Sequence, residues 1–162
     1  MSLIGNQNII KYTYHRSGTW ANRSSTTWGE PTTDWRISVT TARSDSHVVL
    51  KYFFQAQSIS EHILGQYRIY NVTDSSVPDE PNANNNRARS HCPSRGQYNG
   101  DNARIITMAA SLPSWSGTKI FTVQMKSDGG SLIRNLHSLG NTDPEVHWSG
   151  HLWAEAMEME DV

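Results

Sequence analysis

The sequence predicts an all-β protein, an antiparallel sandwich or barrel, and three observations carry that expectation. Apolar residues recur at every second position in several short runs, the period of a half-buried strand. Turn-forming Gly, Pro, Asn, Asp and Ser separate those runs about every 8 to 12 residues, giving roughly seven to nine strands. No stretch before the C-terminal segment repeats apolar residues at helical spacing, so a βαβ architecture is not expected.

The organising stretch is Trp35 to Gln57, WRISVTTARSDSHVVLKYFFQAQ. Ile37, Val39 and Thr41 share one parity, whereas Val48 to Phe54 is nearly continuous apolar and aromatic sequence. This predicts a strand with one solvent face, a turn over Ala42 to Ser46, and a strand buried on both sides, paired as a hairpin. Two strands alone are marginal in water, so the rest of the chain is expected to cover them.

Before that stretch, residues 1 to 7 are polar and Asn8 to His15 alternates as a first strand. Ser17 to Asp34 is dense in turn formers and holds Trp20 and Trp28. The expected division is residues 1 to 34 as an extended N-terminal arm with the first strand, and 35 to 162 as the β-sandwich. After Gln57, Ile59 to Leu64 reads equally as a helical turn or a loop, and Gln66 to Asn71 alternates as a strand. Asp74 to Asn102 then holds three Pro, two Gly and a run of three Asn, which predicts a long surface loop. Ala103 to Ala110 is strand-like and is expected to break at Leu112-Pro113. Thr118 to Ser127 alternates clearly, and Asp128-Gly129-Gly130 is a tight-turn signal that predicts a second hairpin with Ser131 to His137. His151 to Glu160, HLWAEAMEME, has helical propensity.

Composition excludes several partners. The 162 residues carry a net charge of −1, so there is no basic field for nucleic acid or an anionic membrane, and neither is an expected partner. The segment MSLIGNQNIIKY lacks the basic and apolar regions of a signal peptide, and no apolar run is long enough for a membrane helix; synthesis and retention in a cytosol are expected. A single cysteine, Cys92, forms no internal disulfide. Asn22-Arg23-Ser24 and Asn71-Val72-Thr73 match the glycosylation sequon, which has no meaning without secretion.

Chemistry is sparse. His147 and His151 lie four apart, but Gly150 and the surrounding turn formers oppose the helix that would aim both at one metal. In His91-Cys92-Pro93-Ser94-Arg95 the arginine follows the cysteine too closely for a phosphatase loop. Asp79, Glu80 and Asp101 lack calcium-loop spacing. Glu155, Glu158 and Glu160 read as a solvated face rather than paired catalytic carboxylates. The chain is therefore expected to be no enzyme, with no catalytic residues, no metal and no cofactor.

Three segments carry a resemblance. They are Ile37-Ser38-Val39-Thr40 through Arg43-Ser44-Asp45-Ser46 to Val48-Val49-Leu50; Tyr67-Arg68-Ile69; and Ala109-Ala110-Ser111-Leu112-Pro113 through Ser116-Gly117-Thr118 into Phe121-Thr122-Val123-Gln124, followed by the ending Ala154-Glu155-Ala156-Met157-Glu158. Over residues 35 to 160 the chain resembles the jelly-roll, TNF-like or C1q-like, virion structural proteins of tailed phages of marine and cyanophage type. The resemblance implies a single jelly-roll sandwich and turns His151 to Glu160 into a strand against its propensity. It implies a homotrimer that binds the major capsid protein as a decoration (cement) protein on the capsid surface of the virion, made in the host cytoplasm. The alternative is the receptor- or carbohydrate-binding head of a fibre. Candidate subunit or capsid contacts are Trp20, Trp28, Tyr52, Phe54, Trp115 and Trp148, with Phe53 beside them in the aromatic strand.

Overall fold

The structure of the chain, a computed structural model, describes residues 8–16, 22–42, 45–58, 64–78, 92–95, 104–127, 133–134 and 151–160. These residues form a two-sheet antiparallel β-sandwich, with ten strands and one short 3-10 turn among them. The strands are β1 (Asn8–Arg16), β2 (Asn22–Arg23), β3 (Ile37–Thr40), β4 (Ser46–Ser58), β5 (Leu64–Asn71), β6 (Cys92–Arg95), β7 (Arg104–Pro113), β8 (Thr118–Ser127), β9 (Ile133–Arg134) and β10 (His151–Glu160).

Sheet one runs β1-β10-β4-β7, and the end of β4 also pairs with β9, which pairs with β2. Sheet two runs β3-β8-β5-β6. Apart from the two-residue strands β2 and β9, the pairing is nested: β1 lies against β10, β3 against β8, β4 against β7, and β5 against β6.

That nesting corrects both expected hairpins. β3 pairs with β8 and β4 with β10 and β7, so the polar turn after Thr40 crosses from sheet two to sheet one. Likewise β8 feeds β9, whose partners are β4 and β2; Asp128 to Gly130 lies outside the described residues. Alternation fixes which side chains face inward and leaves the neighbouring strand open, because an arch between sheets and a hairpin within one share the same pattern.

The core fills the space between the sheets. From sheet one come Val48, Leu50, Tyr52, Phe54, Ile106, Met108, Leu152, Ala154 and Ala156; from sheet two Ile37, Val39, Tyr67, Ile69, Phe121, Val123 and Met125. Trp35, in the 3-10 turn Thr33–Trp35, is wholly buried with its ring 5.1 Å from Phe54, which in turn meets Tyr67 edge-on at 5.4 Å across the sandwich. Thr32 caps that turn by accepting from the Asp34 N–H at 3.2 Å. The small inward residues of β10 lie opposite the bulky ones of its neighbour: Ala154 opposite Tyr52 and Ala156 opposite Leu50. Burial of this alternating set explains why HLWAEAMEME is a strand despite its helical propensity.

Other expectations change in detail. β4 alternates rather than being buried on both sides, and Phe53 is 45% exposed. β7 continues through Leu112 to Pro113; a proline at the last position of a strand paired on one side costs no ladder bond. The 74–102 stretch is not wholly a loop, since Cys92–Arg95 pairs with Leu64–Tyr67. Two stretches among the described residues of the N-terminal region pair with the sandwich. β1 is paired along its length with β10, and the 24–30 segment runs beside β8, with Gly29 and Met125 exchanging backbone bonds at 3.2 and 2.9 Å. Residues 1 to 7 and 17 to 21 lie outside the described residues, as does Ile59 to Ile63.

Candidate functional site

Because successive side chains on a strand point to opposite faces, the packed core leaves each sheet an outer face whose composition follows from register. On sheet one, the outward row nearest the Phe54 end joins Trp153, Phe53 and Thr107. Trp153 is 38% exposed and Phe53 45%, and Ile105, opposite Gln55, is 62% exposed. The next rows, Glu155–Lys51–Ala109 and Met157–Val49–Ser111, continue the face with one charge of each sign and then apolar residues. Three large apolar side chains in adjoining positions make a patch of the kind that marks a contact surface.

The outer face of sheet two is different. Gln66, Arg68 and Tyr70 of β5 lie opposite Lys126, Gln124 and Thr122 of β8. Arg68 donates through Nε and Nη2 to Gln124 Oε1 at 2.9 and 2.7 Å. Its guanidinium carbon sits 4.4 Å from the centre of the Trp28 ring and 5.5 Å from that of Tyr70; the Lys126 ammonium is 5.0 Å from the same indole. Trp28 is therefore the support for two cations. On the same strands Gln66 is 6% exposed and Thr122 1%, and neither Gln66 Oε1 nor Thr122 Oγ1 has a hydrogen-bond partner.

At the edge of sheet two, Asn71 and Asp74 close a turn on themselves. Asn71 Nδ2 donates to Asp74 Oδ2 at 2.9 Å, and the Asp74 N–H donates to Asn71 Oδ1 at 3.1 Å. Lys119 bonds the same carboxylate at 2.5 Å and lies 5.5 Å from the Trp115 ring. The Lys119 hydrogen bond holds the Asp74 carboxyl below its usual range. Asn71 is 1% exposed, with its amide engaged, so the Asn71-Val72-Thr73 sequon offers no accessible acceptor in the folded chain. A separate ion pair joins Arg36 and Glu30, whose hydrogen bond raises the Arg36 pKa.

No protein-family model matches this chain. No curated protein matches it either.

The six residues expected at contacts fall into three groups. Tyr52 and Phe54 are wholly buried inside the sandwich, on the parity opposite to Phe53. Their assignment to a subunit surface is corrected: they are core residues of one chain, and burial drives the Tyr52 phenol pKa strongly upward. Trp115 is half-buried and packs on Phe121 at 5.5 Å, at the rim of the core. Trp28 is half-buried on the outer face of sheet two, where it holds Arg68 and Lys126. Trp20 and Trp148 lie outside the described residues.

Sequence reasoning missed Ile105 and Trp153. The signal was present, because each sits one residue from an inward partner, Ile106 or Leu152, and parity alone sends it out. Glu158 was read as solvated, and it is 1% exposed on the inward parity of β10. Its carboxylate accepts from Ser46 Oγ at 2.7 Å and from the Ala42 N–H at 3.1 Å, which ties the β3–β4 crossover to the last strand.

Of the other candidates, Cys92 and Arg95 pair with Tyr67 and Leu64 through their backbones. Among the described residues no group of three or more His, Cys, Asp or Glu could hold a metal ion. No helix among them is long and apolar enough to cross a membrane, which says nothing of crossing by strands.

Proposed function

We propose that this chain is a structural protein of a tailed-phage virion, a jelly-roll trimer that decorates the capsid by binding the major capsid protein. The observation that carries the proposal is the outward face of sheet one, where Trp153, Phe53 and Ile105 present apolar surface beside the self-complementary pair Glu155 and Lys51. An isolated monomer gains nothing from such a face, whereas association with further copies removes it from water. The nested order of strands supports the finer reading of the sandwich as a jelly roll, since that fold is one long hairpin of four pairs wrapped into two sheets.

As a decoration protein the chain acts by mass action. A partner bound only to the assembled shell stabilises that shell by its binding free energy, and three copies joined as a trimer add weak contacts as avidity. The test has two parts. Mass measurement of the purified chain gives a trimer, and co-sedimentation with undecorated heads of the phage that encodes it gives saturable binding. A monomer at high concentration, or a trimer that ignores those heads, removes the corresponding half of the proposal.

A second reading, the carbohydrate-binding head of a fibre, is favoured by one observation, the aromatic and cationic outer face of sheet two. In that reading the same trimer presents sheet two to a host surface.

A further inference from the structure

We infer that the outer face of sheet one meets another copy of this chain in one fixed register, set by Lys51 of one copy against Glu155 of the next. This rests on the trimer proposed above. It assigns the face to self-association, leaves the capsid to another surface, and names the residues that align the copies.

Lys51 and Glu155 stand directly opposite each other on β4 and β10, one cation and one anion on the outward parity. Both are half-buried. Side chains in that relation lie about 5 Å apart at Cβ, well within mutual reach. Among the described residues, however, neither makes an ion pair or a hydrogen bond. On sheet two the charges at the surface are matched within the chain, Arg36 with Glu30 and Lys119 with Asp74.

The neighbours of the pair decide what it does. Along the strands the charged row lies between two apolar ones, with Phe53 and Trp153 on one side and Val49 and Met157 on the other. A surface that covers these rows removes water from the charges too, and an uncompensated charge is strongly unfavourable there. Another copy supplies the match, because every chain carries both signs at the same level of the sheet. Copies arranged around one axis set Lys51 of each beside Glu155 of the next. With three copies the ring closes, every charge is matched, and none is left over. A slip of two residues, about 6.6 Å along the strands, sets both charges against apolar rows instead. The apolar residues thus supply the attraction, and the charges select the register.

The experiment compares Lys51→Glu, Glu155→Lys, their equimolar mixture and the double variant by sedimentation velocity, with co-sedimentation on undecorated heads as a second readout. Each single reversal brings like charges together at every contact and raises the concentration at half assembly about tenfold or more. Mixing the two recovers assembly, because a chain negative at both positions meets one positive at both; the double variant recovers it as well. Circular dichroism checks that each variant is folded. Where a reversal does not fold, Lys51→Gln and Glu155→Gln take its place, and each raises the same concentration. Single variants that assemble like the wild type overturn the pairing and leave the trimer standing. Recovery in the double variant without recovery in the mixture places the pair within one chain, which also overturns the inference. Reversals that spare assembly but abolish binding to heads overturn it in favour of the capsid protein as occupant of this face. A wild-type chain that stays monomeric overturns both the pairing and the trimer.

Discussion

Replacing Phe53 by serine separates the outward face of sheet one from the core behind it, because Phe53 points away from the sandwich while Tyr52 and Phe54 fill it. Phe53, Ile105 and Trp153 are 45%, 62% and 38% exposed, which corresponds to about 300 Å² of apolar surface when aromatic side chains present about 150–250 Å² each. At about 25 cal/mol per Å², covering that surface contributes at most ~8 kcal/mol per protomer, and Phe53 alone supplies roughly 2.5 kcal/mol of it. In the proposed trimer three protomers each lose that amount in Phe53→Ser, which weakens it by about 7 kcal/mol, or on the order of 10⁵ in its dissociation constant. The concentration at which half the chains are assembled scales as the square root of that constant and therefore rises a few hundredfold. Sedimentation velocity from about 0.1 to 100 µM reads this directly, and the monomer's own unfolding changes by no more than about 1 kcal/mol. Ser38→Asp, exposed on the opposite sheet, leaves assembly unchanged. A wild-type chain that is monomeric at 100 µM refutes the reasoning. So does a Phe53→Ser chain that assembles like the wild type.

Removing the acceptor in Glu158→Ala strands the Ser46 hydroxyl and the Ala42 N–H, and loses about 3–5 kcal/mol of stability in urea unfolding; Ser46→Ala is expected to be nearly silent in that background, and additive losses would disprove the coupling. Tyr52→Phe removes a buried hydroxyl with no partner and is expected to gain about 1 kcal/mol, seen as a rise of roughly 2–4 °C in Tm. The raised phenol pKa adds a sign: above about pH 10 the unfolded chain ionises Tyr52 while the folded chain does not, so wild-type stability falls there faster than that of Tyr52→Phe. Asp74, whose carboxyl is depressed first by Lys119, stabilises the fold above its unfolded pKa and loses that contribution as pH falls through the folded one; Asp74→Asn flattens the acid limb of a urea-midpoint profile between pH 5 and 2.

Strand existence was legible because burial writes its period into the chain. Thr118 to Ser127 is read and found with the same ends, since Phe121, Val123 and Met125 alternate against residues that need no core. The last strand was legible only through the resemblance. Its Ala, Glu and Met residues favour a helix locally, and what overrides them is the need for small side chains opposite Tyr52 and Leu50, which no local window contains. Partner choice was not legible at all. β3 and β4 are joined by a few polar residues, as a hairpin is, yet they enter opposite sheets, Ile37 and Val39 reaching the shared core from sheet two and Val48 and Leu50 from sheet one.

The same limit explains the contact residues. Aromatic content drew attention to Tyr52 and Phe54, but content carries no direction, and in a strand one position decides between core and surface. Once the inward set is fixed by Leu50, Tyr52 and Phe54, the outward set follows: Phe53 on β4, then Trp153 and Thr107 beside it by register. The aromatic pair in the core and the aromatic pair on the face are thus one consequence of one parity. On sheet two parity acts differently, since Gln66 and Arg68 of β5 and Thr122, Gln124 and Lys126 of β8 make much of the outward face polar or cationic, and Trp28 joins it from outside the sheet's regular strands. A molecule with one apolar face and one cationic face has two surfaces with different physical preferences. The first gains by meeting its own kind, because apolar burial needs no opposite charge. The second is polar and gains nothing by that route, so the proposed self-association falls to sheet one.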